Sequence, residues 1–274
     1  MFCKGLHLME VLRPTDLSDA LRALHDHPDA TPLAGGTDLM VEVNFGYTRP
    51  TTVLLLRKLE ELKEVTPTRI GAGVTFRTLE AGDLTALAQL ARTVGSPQIR
   101  AAGTIGGNLA TASPAGDALP FLAAIDADVE VQSVSGTRVV PWHEFIVGVK
   151  RTSKAADELI TAAILPEDMP DRQEFAKIGQ RSAMVISMVS ACVLRWADGR
   201  TRVALGAVGP TPVRAGRAEE MISDEMNPSE AALSEFARLV AEDVHPITDH
   251  RGTEEYRRHA SGVLSRRLLE RCLA

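Results

Sequence analysis

Cysteine is scarce in this sequence, and so are aromatic side chains. The three cysteines, Cys3, Cys192 and Cys272, are far apart and odd in number in a chain of 274 residues. No Cys-x-x-Cys pair exists, so the chain has no thiolate set for zinc or for an iron–sulfur cluster of its own. A disulfide framework is not expected either, which fits a reducing compartment. Aromatic residues make up 4%, with two Trp and two Tyr, so a ring bound here is expected to pack against aliphatic side chains. A surplus of positive charge is also missing. The formal net charge of −6 argues against nucleic acid as the main partner, because phosphate binding needs a basic field. No apolar run approaches the roughly 18 residues of a membrane span. The first nine residues, broken by Lys4 and His7, lack the apolar core of a signal peptide. The chain reads as a cytoplasmic protein.

What is present is an ordinary globular composition, 45% hydrophobic and 24% charged, with enough length for one large domain or two small ones. His7 to Leu12 reads as a strand. Leu17, Ala20, Leu21 and Leu24 recur at helical spacing behind Thr15 and Asp16, either of which can cap. Thr31 to Ala34 is a short strand running into Gly35-Gly36, Asp38 to Val43 a short helix, and Thr51 to Leu56 the next strand. Ile70 to Phe76 reads as a glycine-punctuated strand and Leu84 to Val94 as a helix. Gly95 to Asn108 reads as a loop of small residues. A helix over Asp117 to Ile125, a hairpin turning at Ser135-Gly136 and a strand from Leu159 to Leu165 complete this half. Two prolines and three acids over Pro166 to Asp171 mark a boundary. Beyond it, Met184 to Trp196 is a long apolar run read as sheet core. Asp198-Gly199 turns into a strand over Thr201 to Val208, and helices cover Ser229 to Val240 and Tyr256 to Leu273. Strands first and helices later suggest an α+β domain.

Two glycine loops carry the chemistry. They are Ala34-Gly35-Gly36-Thr37-Asp38-Leu39 and Thr104-Ile105-Gly106-Gly107-Asn108-Leu109. Adjacent glycines let backbone N–H groups approach a phosphate and permit the positive φ that turns successive N–H groups into an anion nest. The first loop opens a helix, whose dipole favours an anion. Two such loops suit the two phosphates of a dinucleotide, although paired glycines in a turn are commonly structural. Neither loop is Gly-x-Gly-x-x-Gly or a Walker loop, so a Rossmann NAD site is disfavoured.

These loops resemble the two flavin loops of the FAD-binding (medium) subunits of molybdenum hydroxylases, the family of xanthine dehydrogenase and carbon monoxide dehydrogenase. The likeness continues through Ser113-Pro114-Ala115-Gly116-Asp117, Phe175 to Arg181, Gly206 to Arg214 and Tyr256-Arg257-Arg258, nearly the whole chain. The resemblance implies an α+β fold. A two-part FAD-binding domain of the vanillyl-alcohol-oxidase (PCMH) type would cover residues 1–168, with subdomains of about 1–58 and 59–168. A small C-terminal domain, an antiparallel sheet plus helices, would cover 172–274. The cofactor implied is FAD. Its contacts would come from Leu33, Ala34, Gly35, Gly36, Thr37 and Asp38 in the first loop, and from Thr104, Ile105, Gly106, Gly107, Asn108 and Thr111 at the second. Asp117 matches an acid that contacts FAD; otherwise it is an acid serving a helix dipole. Ile160 sits where an aliphatic residue meets the flavin ring. Lys177 aligns with a lysine near the flavin, where a cation would stabilise the reduced form; otherwise it is a solvated strand lysine. Val94 stands where some relatives carry an aromatic.

The same resemblance implies that hydroxylation occurs on a molybdopterin-binding large subunit. Electrons would arrive through a small subunit with 2Fe–2S clusters, and FAD would pass them to NAD+ or another acceptor. The assembly implied is a dimer of such heterotrimers, closer to xanthine dehydrogenase than to the carbon monoxide type. No catalytic triad and no metal site is expected on this chain; His25, His27, His245 and His250 have no metal-ligand company. Arg257, Arg258, Arg266, Arg267 and Arg271 read as a basic stripe on the last helix, either a solvated face or a docking face for an acidic partner. A stand-alone flavoprotein oxidase and an interaction module that has lost FAD are the competing readings. Histidines outside both loops weigh against the first, and intact glycines against the second.

Overall fold

The computed structural model describes residues 9–274, so His7 and Leu8 of the expected first strand lie outside the described residues. Three parallel strands come first, in the order Glu10–Leu12, Thr52–Leu55, Thr31–Leu33. The helix Leu17–Asp26 covers them. Asp16 caps it, accepting the Asp19 N–H at 2.7 Å, and its buried stripe of Ala20, Leu21 and Leu24 packs with Leu54, Leu62 and Leu159. The C-terminal ends of parallel strands are where open α/β layers bind ligands. Here the strand Thr31–Leu33 delivers the chain into Ala34-Gly35-Gly36.

A five-stranded antiparallel sheet follows, in the order Val65–Thr66, Arg69–Gly71, Leu159–Ile164, Asp128–Ser133, Gly136–Pro141. Helices Thr85–Thr93, Ile105–Thr111 and Ala118–Ala124 pack on it through Leu90, Leu109, Phe121 and Ile160. Two expectations fail here. The strand expected over Ile70 to Phe76 stops at Gly71, and Phe76 begins the helix Phe76–Glu80, capped by Thr75. The cause is a close approach: a Cβ on Gly71 would lie 2.3 Å from the Leu62 carbonyl oxygen, and the Gly73 N–H turns to that carbonyl at 2.7 Å. The segment read as a loop over Gly95 to Asn108 is largely helical, as Pro97–Ala102 and Ile105–Thr111, capped by Ser96 and Thr104. Its small residues are there for packing: a Cβ on Gly106 would meet the Ala72 Cβ at 2.5 Å. Tertiary contact overrides the low helix propensity of glycine.

The last sheet is antiparallel, in the order Arg172–Ile178, Val189–Arg195, Thr201–Gly206, Val213–Arg214. Its second strand is buried along its whole length because both faces are covered. Cys192 and Leu194 pack against the first half of the chain, whereas Val189, Ala191 and Val193 pack under helices Gly216–Ser223, Glu230–Asp243 and Glu254–Leu273. The apolar run from Met184 therefore divides. Met184, in a left-handed conformation (φ 48°), and Ile186 are exposed in a connecting loop, not in sheet core. The helix Gly216–Ser223 has no counterpart in the sequence reading.

The basic stripe also dissolves. Arg257 is buried, donating to the Met188 and Ala207 carbonyls and to Asp249, and Arg266 pairs with Glu230 and Glu270 of its own chain. At 100° per residue these arginines point to different sides of the helix, so they form no single stripe of either kind, solvated or docking. Among the described residues no helix is long and apolar enough to cross a membrane.

Candidate functional site

The two glycine loops meet, and each glycine has a separate reason. A Cβ on Gly35 would lie 1.8 Å from the Ala102 carbonyl oxygen, so this glycine allows the loops to touch backbone to backbone. Gly36 has φ 69°, the left-handed conformation that glycine adopts without strain. Gly107 is open on its outer side; a Cβ there meets only Thr104 Oγ1, at 3.2 Å. Thr111 Oγ1 donates to Asp38 Oδ2 at 3.0 Å and ties the loops together again.

Among the described residues the N–H donors expected from both loops are open as a run in the first alone; in the second only the Thr104 N–H has no acceptor. Among the described residues no acceptor takes the N–H groups of Gly35, Gly36, Thr37 or Asp38. The second loop uses its own. Ile105 N–H donates to the Val74 carbonyl, Gly106 N–H to the Ala72 carbonyl, Gly107 N–H to Thr104 Oγ1 and Asn108 N–H to the Thr104 carbonyl. The first loop is thus the anion nest, with the start of the helix Leu39–Asn44 behind it. The second is a rigid wall.

A two-lobed cleft runs across this junction. One lobe, of about 400 Å³, is mostly apolar and is lined by Leu56, Leu62, Val74, Leu159 and Ile160, with Arg57, Lys63 and Lys154 at its edge. The other, of about 600 Å³, is lined by Asp38, Val94, Asn108, Thr111, Asp117, Lys177 and the loop Met184 to Ile186. Pro32, Ala34, Thr104, Gly107 and Ala110 border both lobes and form the neck between them. A further cavity of about 690 Å³ lies behind the first loop, with Arg13, Arg57 and Lys58 on its wall.

The floor of the larger lobe is a buried ion pair. Lys177 Nζ donates to Asp117 Oδ2 at 2.6 Å, and each side chain is 8% exposed. Ser187 Oγ donates to Asp117 Oδ1 at 2.6 Å. Burial pushes the Asp117 carboxyl above its ordinary value, opposed by the Lys177 charge and by the bonds from Lys177 and Ser187. Asp117 begins the helix Ala118–Ala124 but makes no capping hydrogen bond, so its carboxylate faces the site instead of serving the helix end. Lys177 is likewise no solvated strand lysine.

Every residue expected to contact FAD lines this cleft or the cavity behind it, except Ile105, which is fully buried in the core. Their distribution was not foreseen. Ile160 and Lys177, both expected beside one ring, line different lobes of the cleft. Sequence reasoning passed over Lys154, Glu158 and Ser187. Glu158 accepts a bidentate bond from Arg138 at 2.6 and 2.8 Å, and burial pushes the Lys154 ammonium down. The basic pair Arg57-Lys58 directly after a strand was a signal that went unused.

The residues present fit FAD. The nest offers unpaired N–H donors to a pyrophosphate, the neck joins two ring-sized lobes, and Asn108 presents a buried Oδ1 with no hydrogen-bond partner on the wall of the larger lobe. The arrangement can hold a dinucleotide with one ring over an apolar wall and the other over a charged floor. No group of three or more metal-ligating side chains occurs among the described residues.

Known proteins share this plan. Residues 7–168 match the model for the FAD-binding domain in molybdopterin dehydrogenase, and residues 174–272 match that for the C-terminal domain of the CO dehydrogenase flavoprotein. The nicotinate dehydrogenase FAD-subunit of Eubacterium barkeri is 36% identical over 239 residues, covering 78% of this chain and 79% of that protein. A putative xanthine dehydrogenase FAD-binding subunit of Escherichia coli K12 is 30% identical over 278 residues, covering 96% and 95%. The solved CO dehydrogenase of Oligotropha carboxidovorans contains a chain that superposes with a TM-score of 0.89 at 27% identity, covering 97% of each.

Proposed function

Because the chain belongs to the family of FAD-binding subunits of molybdopterin dehydrogenases, the molybdenum hydroxylases, we propose that it is the electron-output subunit of a xanthine dehydrogenase-like complex that reduces NAD+. FAD is its cofactor, and when bound it supplies storage for two electrons. The partners in this reading are a molybdopterin-binding large subunit and a 2Fe–2S small subunit, joined as a dimer of heterotrimers in the cytoplasm. This chain carries no cysteine set for a cluster, which accords with clusters held elsewhere.

The observation that carries the reading is the unpaired N–H nest at the neck of a two-lobed cleft. In this reading the loop Gly35 to Asp38 holds the pyrophosphate, and Thr104, Gly107 and Thr111 wall it in. The larger lobe takes the flavin ring, because that ring is the larger of the two and needs polar partners at its edge; the apolar lobe with Ile160 takes the adenine. Val94 and the loop Met184 to Ile186 exclude water from the ring, and Lys177 stabilises negative charge on it. An N-heteroaromatic substrate for the complex accords with relatives named for nicotinate and xanthine. The domain division at 168–172, with a first split near 58, belongs to the same proposal. It is supported by the separate sheets on either side of each point.

If NAD+ is the acceptor, NADH must drive the reverse step on the isolated, FAD-loaded chain. Anaerobic addition of NADH should bleach the flavin absorbance near 450 nm, a wavelength that belongs to flavin chemistry in general. A flavin that stays oxidised in excess NADH, yet is reduced by dithionite, would refute NAD+ as acceptor and leave the FAD assignment standing.

A further inference from the structure

Ser187 touches none of the cleft and still controls part of its charge. It is 2% exposed, and its hydroxyl donates to Asp117 Oδ1 at 2.6 Å. The other carboxylate oxygen is held by Lys177 Nζ at 2.6 Å. Both holding groups come from the C-terminal half, Lys177 from the strand Arg172–Ile178 and Ser187 from the loop before the strand Val189–Arg195, whereas Asp117 stands at the start of the helix Ala118–Ala124. An ammonium has three N–H donors. Two of those on Lys177 go to Asp117 and to the Val185 carbonyl at 3.2 Å; the third has no acceptor among the described residues, and Lys177 lines the larger lobe.

We propose that Ser187 is a positioning residue for electron transfer: by holding Asp117 it sets how much of the Lys177 charge reaches the flavin ring. The proposal rests on the reading that this ring occupies the larger lobe. With Asp117 ionised, the pair is neutral overall and Lys177 gives the ring a hydrogen-bond donor but little net charge. With Asp117 protonated, the ammonium is uncompensated. Ser187 donates to the ionised form and so favours the compensated state. Among the described residues Lys177 is the one charged side chain in contact with Asp117, and the other side-chain contact is the neutral Ser187 hydroxyl, so no further donor is at hand to replace that bond. Burial already favours the neutral carboxyl. Loss of the Ser187 donor tips the balance further, and a reduced flavin, which carries negative charge, is then stabilised.

The test is the flavin midpoint potential of the full chain, loaded with FAD and titrated from acid to neutral pH. Ser187→Ala should retain FAD, raise the potential and move its pH-dependent break to higher pH. Ser187→Cys, with a weaker donor of similar size, should give a smaller shift of the same sign. In a Lys177→Gln background the Ser187→Ala shift should vanish, because a buried Asp117 without its cation is already held neutral and has no charge left for Ser187 to govern. An unchanged potential in Ser187→Ala, an equal shift in both backgrounds, or loss of FAD from both Ser187 variants would overturn the proposal. Failure of the ring placement looks different: Lys177→Gln alone would then keep the wild-type potential and absorption spectrum.

Discussion

Replacing Gly107 by valine should separate cofactor retention from folding, and Gly35→Ala should not. Gly107 sits in the third position of the helix Ile105–Thr111 with an ordinary helical backbone. Valine there gains a few tenths of a kcal/mol in helix propensity over glycine, roughly. Its Cβ crowds Thr104 Oγ1 at 3.2 Å, which at worst costs the cap bond to the Gly107 N–H, about 1 kcal/mol. The two effects nearly cancel, so the apo chain should melt within a few degrees of wild type. The side chain, however, enters the neck shared by both lobes. Forcing extra carbons into a fitted space costs about 1–3 kcal/mol, or roughly a five- to 150-fold rise in the Kd for FAD. Gly35→Ala places its Cβ 1.8 Å from the Ala102 carbonyl oxygen and 2.4 Å from its carbon, backbone atoms that have no rotamer to yield. That variant should lose about 3 kcal/mol or more of apo stability along with FAD. Thermal melts of the apo proteins and a fluorescence titration with FAD measure both quantities. Wild-type FAD affinity in Gly107→Val, or equal apo destabilisation in the two variants, would refute the division of labour between the glycines.

Two further variants probe the buried charges. Lys177→Met leaves Asp117 buried without its cation, a loss of about 3–5 kcal/mol at neutral pH. A carboxyl whose folded pKa lies above its unfolded value costs stability as pH rises through that interval, so the variant should recover stability on acidification, read by denaturant melts against pH. Arg257→Met removes the guanidinium that holds the Met188 and Ala207 carbonyls and Asp249, and should cost a similar amount. Burial alone would raise Asp249, but bonds from the Arg251 and Gly252 N–H groups and from Arg257 bring it to about 2. Its contribution is therefore complete above the unfolded value and lost as pH falls toward 2, and this acid limb should flatten in Arg257→Met.

Much of the site was legible because its local demands are written into residue type. Asp117 and Lys177 were expected only from the family resemblance, whereas the adjacent glycines were found that way. The helices over Pro97–Ala102 and Gly216–Ser223 were not, because glycine, serine and acid content mimics a loop when the neighbour that compensates for it is distant in sequence. Ser187 was invisible for a similar reason: a serine in an apolar run carries no pattern, and its partner is 70 positions away.

The amino-acid sequence determined that the first glycine pair would turn and open a helix, and that the chain could bring no cluster of its own. Tertiary structure decided what each glycine is for. Gly35 and Gly106 permit backbone contact, Gly36 permits a positive φ and Gly107 keeps the neck open, and among the described residues only the first loop has a run of free N–H donors. That difference could not be read from the loops themselves. Their composition is alike, and whether an N–H is free depends on the carbonyl that packing brings to it: Ala72 and Val74 for the second loop, none for the first.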